Sequence, residues 1–420
     1  MDRLFTRSFV LLSQGQVVSQ LGNQAFLVAA TYFTLEGTGS ASLVAIVMMA
    51  STLPLAILGP VGGTFADRHS RRSILVATDL LRALAIGGAG LVLVVSIEPT
   101  PAHFALLVLV AAVGGVLGAL FTPAVQALLP DLVPAGKLAS ANALMQMSGQ
   151  TSTLMGQALG GVLYVTWGAG VLLLFDAATF AFAGVSSWFI AEGRLVRAEP
   201  VRIGVAIRQY ASETREGLQY VTRHRGMISL LATFAGVNLL FMPVFVLLPL
   251  YVRDVLSRGP EWYGFLLAAS GVGALAGSAI GGMVMATIST PSPSLIVRCV
   301  AGIAASVLGL AAARQPWMAL AAFVAIGVLS SLINVIVITS FQSAAPTEFR
   351  GRVMAVVIAL SSAVVPVGMG VGGLLGDLWR DSLPAVFAAC GIAIAALVGF
   401  AWSASAFTGV HASGRRQAQR

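Results

Sequence analysis

The sequence predicts an all-α membrane protein, with twelve transmembrane helices arranged as two halves of six. Twelve apolar stretches fill almost the whole chain, and residues are 57% hydrophobic but only 10% charged. A hydrocarbon core about 30 Å thick needs roughly 20 apolar residues of helix, and lipid forces backbone groups to pair within that helix. The 46 glycines agree with this prediction, because small residues let membrane helices approach closely.

The charges predict how the chain is oriented. The expected spans are residues 8–34, 41–64, 74–97, 102–127, 138–164, 168–191, 226–252, 261–286, 294–313, 316–344, 353–377 and 384–407. All but four of the 24 Lys and Arg residues fall on the side shared by both termini. Cytoplasmic loops carry such an excess, so we expect both termini in the cytoplasm. The net charge of +8 then reflects orientation and contact with membrane lipids, and we expect no nucleic-acid partner.

A polar interruption divides the membrane domain. The predicted parts are an N-terminal half over 1–191, a cytoplasmic linker over 192–225, a C-terminal half over 226–407 and a basic cytoplasmic tail over 408–420. Apolar residues recur along the linker at helical spacing, which favours an amphipathic helix on the membrane surface. A simple solvated linker is the alternative.

The loop between the second and third spans carries a distinctive motif. It reads Gly62-Gly63-Thr64-Phe65-Ala66-Asp67-Arg68-His69-Ser70-Arg71-Arg72. Topology explains the Arg residues, but Asp67 can in addition accept bonds from a helix N-terminus or a neighbouring Arg. The motif resembles the signature of the major facilitator superfamily, with Ser70 where that family often has Gly. The resemblance implies the major facilitator fold. It also implies that Gly63, Asp67, Arg68, Arg71 and Arg72 lock the cytoplasmic gate.

Other segments extend the resemblance. Gly156-Gln157-Ala158-Leu159-Gly160-Gly161 is similar to the antiporter signature Gly-Pro-x-x-Gly-Gly, with Gln157 in place of Pro. The segments 123–142 and 346–354 resemble the macrolide-efflux and siderophore-export branch of the drug:proton antiporters. In the second of these segments, Glu348, Arg350 and Arg352 are expected to join Asp67 in a cytoplasmic ion-pair cluster.

Two further sets of charged residues lie within predicted spans. Asp79 and Arg82 are three residues apart near the cytoplasmic end of the third span, and we expect them to pair with the gate cluster rather than with substrate. Asp176 lies well inside the sixth span, where ionisable groups are costly and are functional candidates. It either carries a coupling proton or packs helices together through a bond to Thr179. The fourth span has no Arg, although many proton-coupled drug antiporters of the family place one there.

Amide side chains form stripes on the first and fifth spans. In lipid such groups must face protein or water, so each stripe predicts either an aqueous cavity or helix-to-helix hydrogen bonds. Amides mixed with Phe suit a bulky amphipathic solute better than an anion, which would call for buried Arg or Lys. The candidate cavity residues are Gln20, Asn23, Gln24, Gln146, Gln150, Asn238, Phe241, Phe245 and Asn334.

These patterns predict a secondary active exporter of lipophilic or amphipathic small molecules, working by alternating access in a bacterial-type inner membrane. The sequence has no phosphate-binding loop, and its four His residues are scattered, so we expect no enzyme activity, cofactor or metal. We expect a proton gradient to supply the energy and the protein to be a monomer. A lysophospholipid carrier of the same fold and a non-transporting membrane sensor are the alternatives.

Overall fold

A computed structural model describes residues 4–66, 68–96, 98–191, 203–287, 293–346 and 348–399. Within these ranges the chain is almost entirely helical and contains no strand. The helices are α1 (Arg7–Thr38), α2 (Ala41–Ala66), α3 (Arg71–Val95), α4 (Pro101–Leu132), α5 (Leu138–Trp188), α6 (Ile203–Arg223), α7 (Arg225–Leu250), α8 (Pro260–Thr287), α9 (Pro293–Ala312), α10 (Pro316–Ala344), α11 (Arg350–Leu378) and α12 (Leu383–Ala396). The predicted tail and the first part of the predicted linker lie outside the described residues.

Nine helices in the described ranges are long and apolar enough to cross a membrane. One of them, α5, has 51 residues and is long enough to cross twice. It is interrupted at Gly168, where φ is 73° and ψ is 172°. That conformation is accessible to Gly because it has no Cβ, so the chain turns between the predicted fifth and sixth spans. The predicted all-α membrane fold is confirmed, and twelve spans are consistent with these helices.

The chain divides into two compact units. Unit 1 comprises Met1–Arg208 together with Arg258–Ala268, and unit 2 comprises Gln209–Ser257 together with Ala269–Arg420. Unit 1 therefore holds α1 to α5 and the first turns of α8. Unit 2 holds most of α6, the rest of α8, and α7 and α9 to α12.

Unit 1 has its apolar core at the end that carries the loop between α2 and α3. There Phe9, Leu75, Ala124 and Leu128 are fully buried and form one cluster. Helices α1 and α3 both pack on α5, and α2 packs on α4.

In unit 2, α7 packs on α11 and α12, and α9 packs on α10 and α12. A π-helical turn, Tyr251–Val255, follows α7. The buried Tyr251 hydroxyl donates to the carbonyl oxygens of Leu310 (2.9 Å) and Ala313 (3.2 Å). It thus ties the segment after α7 to the C-terminal end of α9.

The linker contains α6, which docks on the beginning of α11. Val221 is fully buried there. Glu216 forms an ion pair with Arg352, with an Oε2–Nη1 distance of 2.9 Å. The guanidinium of Arg352 also lies 5.2 Å from the ring centroid of Phe349. Both apolar and charged contacts therefore hold α6 within unit 2.

Candidate functional site

Unit 1 contains an open cavity of about 600 Å³. This volume lies in the range of pockets that bind drug-sized molecules. Helices α1 to α5 all contribute to its wall. Seven amide side chains line it: Gln16, Gln20, Asn23, Gln24, Gln126, Asn142 and Gln146.

The amide stripe on α1 reaches the cavity because its members are three or four residues apart and so share one helix face. The structure places Gln20, Asn23, Gln24 and Gln146 at the cavity wall, whereas Gln150 is exposed and does not line it. One amide also bridges two helices. The Oε1 atom of Gln24 accepts a hydrogen bond of 3.2 Å from Nε2 of Gln157 on α5.

The rest of the wall is largely apolar. It includes the rings of Phe26, Phe121 and Phe180 and the aliphatic side chains of Leu55 and Val110. Amides can orient polar groups of a solute, while the rings and aliphatic chains accept its apolar surface. The cavity is therefore amphipathic.

Arg82 of α3 is the one charged residue in the cavity wall within the described part of unit 1. Its Cζ atom lies 5.2 Å from the ring centroid of Phe121 and 5.3 Å from that of Phe180. Its Nη2 atom donates to the carbonyl oxygen of Gly114 at 3.3 Å. Cation–π contacts with two rings fix the guanidinium against α4 and α5.

Two buried carboxyl groups lie near Arg82. Its Nη1 atom is 3.9 Å from Oδ1 of Asp79, and Asp176 lies within electrostatic reach. Asp79 is 1% exposed and Asp176 is fully buried. The Thr179 hydroxyl donates to the backbone oxygen of Asp176 at 2.7 Å and lies 3.3 Å from its Oδ1 atom. The three charged residues form one group, which we name the buried charge triad.

The structure differs from the expectation that Asp79 and Arg82 pair with the gate cluster. The third helix begins at Arg71 rather than at residue 74, so Arg82 lies eleven residues into a helix of 25 and is near its middle. The structure therefore places Arg82 at the cavity instead of beside the loop motif. The cavity wall also contains an Arg that is mostly buried, which the sequence patterns did not predict. The sequence did contain a signal for a position deep in the helix. Asp79 and Arg82 are three residues apart on one face, and a paired Arg is tolerated deep in a membrane helix.

The loop motif ties α3 to neighbouring helix ends. Arg71 Nη1 donates to the carbonyl oxygen of Ala127 at 2.7 Å. The same atom donates to Oδ2 of Asp131 at 2.5 Å and forms an ion pair with it. Arg72 Nη1 donates to the carbonyl oxygen of Ile190 at 3.4 Å. Arg68 is partly buried. Asp67 lies outside the described residues, so its role as a latch stays a prediction.

Comparison with known proteins identifies the family. Residues 12–369 match the family model described as Major Facilitator Superfamily. The chain belongs to the Major Facilitator Superfamily.

The members that this chain resembles include efflux proteins. It is 23% identical to macrolide efflux protein A of Streptococcus pyogenes over 373 residues, covering 88% of this chain and 89% of that protein. It is 28% identical to the multidrug efflux pump Tap of Mycolicibacterium fortuitum over 378 residues, covering 85% and 86%. Among solved structures, an inward-facing bacterial homologue of the iron transporter ferroportin shares the fold, with a TM-score of 0.72, 17% identity and coverage of 94% and 98%. The predicted membership of a membrane transporter family is therefore confirmed.

The antiporter-type segment of this superfamily member packs within unit 1. A Cβ atom on Gly156 would lie 2.6 Å from the carbonyl oxygen of Leu21, and one on Gly160 would lie 3.0 Å from Cα of Ala25. A Cβ atom on Gly161 would lie 2.6 Å from the carbonyl oxygen of Pro260, in the first turn of α8. The glycines thus let α5 approach α1 and the beginning of α8 closely.

The described residues of the segment 346–354 lie in unit 2. Glu348 is exposed, and Arg350 Nε donates to the carbonyl oxygen of Ala345 at 3.2 Å. Arg352 pairs with Glu216 of α6. Asp67 is the expected partner of this segment, and that cluster stays a prediction because Asp67 lies outside the described residues.

The remaining cavity candidates also lie in unit 2. Asn238 Nδ2 donates to the carbonyl oxygen of Phe234 at 2.8 Å, within α7. Phe241 and Phe245 are half-buried on α7, and Asn334 is exposed on α10. Their contact with substrate stays a prediction. Within the described ranges, no group of three or more His, Cys, Asp and Glu residues is suited to hold a metal ion.

Proposed function

We propose that this superfamily member exports bulky lipophilic or amphipathic small molecules by alternating access, with proton influx as the energy source. The observation that carries the proposal is the cavity of unit 1. Its volume of about 600 Å³ and its mixture of seven amides with aromatic and aliphatic side chains suit a large solute that is partly polar. The names of two relatives, a macrolide efflux protein and a multidrug efflux pump, support the same class of solute.

The charge pattern supports placement in a bacterial inner membrane with both termini in the cytoplasm. The excess of Lys and Arg on one side favours cytoplasmic termini. The protein acts as a monomer with one small-molecule substrate and surrounding lipid as its partners. No cofactor takes part, and a proton gradient replaces one.

Asp176 supports the choice of protons as the coupling ion. It is a fully buried carboxyl group in the unit that holds the cavity, and the described residues satisfy only one of its two oxygens. A carboxyl group in such a place exchanges a proton more readily than it binds a metal ion, which would need several oxygen ligands.

The test is reconstitution of the purified protein in liposomes with an imposed pH gradient and radiolabelled erythromycin as the probe. We expect accumulation against the concentration gradient, and we expect a protonophore to abolish it. Empty liposomes and labelled lysophospholipid are the controls for leakage and for a lipid carrier. Erythromycin flux that is absent, or that ignores the pH gradient, contradicts the proposal.

A substitution at Asp176 distinguishes proton coupling from transport itself. Asp176→Asn should lose uphill accumulation of erythromycin while keeping downhill exchange, because the amide preserves shape and hydrogen bonding but holds no exchangeable proton. Loss of both activities together with a lowered melting temperature indicates instead that Asp176 only packs helices.

A further inference from the structure

The charges of the buried charge triad do not balance. Asp79 and Asp176 contribute two carboxyl groups, whereas Arg82 contributes one cation. Within the described part of the chain, both oxygens of Asp79, Oδ2 of Asp176 and Nε of Arg82 are buried and have no hydrogen-bond partner. A net negative charge in so dry a place costs several kcal/mol. One proton on either carboxyl group removes that charge.

Among the described residues of unit 1, no second cation faces the triad. On α1, Gly22 faces Asp176, and a Cβ atom there would lie 2.5 Å from the Asp176 Oδ1 atom. On α4, the carbonyl oxygen of Gly114, the backbone of Gly118 and the ring of Phe121 face Arg82. The other charged residues and His of α1 to α5, and of the α8 turns in unit 1, lie near helix ends: Arg7, Glu36, Arg71, Arg72, His103, Asp131, Arg258 and Glu261.

We propose that Asp79, Arg82 and Asp176 form one proton site, in which the two carboxyl groups share a single exchangeable proton and Arg82 pairs with the carboxylate that remains. The proton comes from the water phase, adds to one carboxylate oxygen, and leaves by the reverse step. No other bond forms or breaks. The loaded site is neutral and the empty site carries one negative charge.

The position of Arg82 connects this site to the cavity. Arg82 lines the cavity wall, whereas Asp79 and Asp176 are buried and do not line it. When the proton leaves, both carboxylates attract the guanidinium and hold it back from the cavity. When one carboxylate is neutralised, the guanidinium is held less strongly and can turn its donors to a solute. Arg82 is therefore the residue that transmits the protonation state to the substrate site, a role that rests on the proposed function.

The number of protons can be counted without any substrate. Infrared spectra of the purified protein at neutral pH report each protonated carboxyl group by its C=O stretching band, and we expect one buried group. Because both carboxyl groups share one proton, Asp79→Asn and Asp176→Asn should each abolish the whole band. In either variant the remaining carboxylate pairs with Arg82 and needs no proton.

Removal of the Arg82 cation should increase the infrared band, whereas removal of either carboxyl group should abolish it. Arg82→Gln removes the cation and leaves two buried carboxyl groups, so the band should double. Arg82→Lys keeps a cation and should restore the wild-type band. Asp381→Asn is the matched control, because Asp381 is an exposed carboxylate in unit 2 and the band should not change. Gel filtration and melting temperature establish that each variant is folded.

Several results overturn the proposal. A wild-type protein with no buried protonated carboxyl group, or a band that persists in full in either Asn variant, rules out a shared proton. A band that does not increase in Arg82→Gln shows that Arg82 does not set the proton count. If the band pattern holds but erythromycin is not transported in liposomes, the proton site stands and the proposed function fails.

Discussion

The rings of Tyr220 on α6 and Phe349, immediately before α11, stack with their centroids 5.1 Å apart and their planes 19° apart. Burial raises the pKa of the Tyr220 phenol above its ordinary value, so the ring stays neutral at physiological pH. The stacking joins the linker to a segment that the sequence analysis had assigned to the gate.

We expect this stacked pair to hold α6 on unit 2. Tyr220→Ala and Phe349→Ala should each lower stability, and a double-mutant cycle should show a coupling of about 0.5–1.5 kcal/mol. Glu216→Gln should cost less, because an exposed ion pair contributes only about 0–1 kcal/mol. Reversible unfolding in detergent measures these effects. Leu218→Ala, at an exposed position of α6, is the control, and additive effects of the two ring deletions contradict the docking role.

Gly22 should resist substitution because it faces the buried charge triad. A methyl group there would meet both Asp176 and Thr179. We expect Gly22→Ala to destabilise the protein by about 1–3 kcal/mol, the usual cost of overpacking a core. Gly88→Ala on α3 is the matched control, since nothing lies within 4 Å of its Cβ position. Similar unfolding free energies for the two variants would show that α1 does not pack tightly on Asp176.

Polar thiol reagents should reach the cavity wall. After removal of Cys299 and Cys390, single Cys replacements at Gln20, Asn23 and Gln146 should react, because the reaction needs water and thiolate. Erythromycin should slow the labelling.

A Cys in place of Leu84, whose side chain is 73% exposed on α3, is the control for a lipid-facing position. It should stay inert to a charged reagent that does not enter lipid. Inert thiols at all three cavity positions would mean that the amides serve helix contacts and that the cavity is dry.

Asp67→Asn should slow erythromycin transport and leave folding and probe affinity nearly unchanged. The loop motif of the superfamily suggests that this carboxylate is a latch for neighbouring Arg residues rather than a substrate ligand. Asp131→Asn tests the neighbouring Arg71 pair and should cost less than about 1 kcal/mol in stability, because both side chains are partly exposed. Transport by Asp67→Asn at the wild-type rate would remove the latch assignment.

The boundaries of the helices show how far the sequence predicts the fold. The ends of α3 and α4 differ from the predicted spans by a few residues, because a span prediction follows hydrophobic residues while the helices continue into polar sequence. Because α3 begins three residues earlier than predicted, Arg82 lies near the middle of the helix and not near its end. The 51-residue α5 illustrates the same limit, because Gly168 turns the chain inside it, between the predicted fifth and sixth spans.

The sequence by itself determined that the chain is a set of apolar helices, and it determined which residues share a face of each helix. Lipid imposes the first property on every segment separately, and the helical repeat imposes the second. Only the tertiary structure decided which neighbour covers each face. Arg82 meets Phe121, Phe180 and the carboxyl group of Asp176 because α3, α4 and α5 pack together there. Contacts between residues so far apart in the chain depend on packing, which no local periodicity specifies.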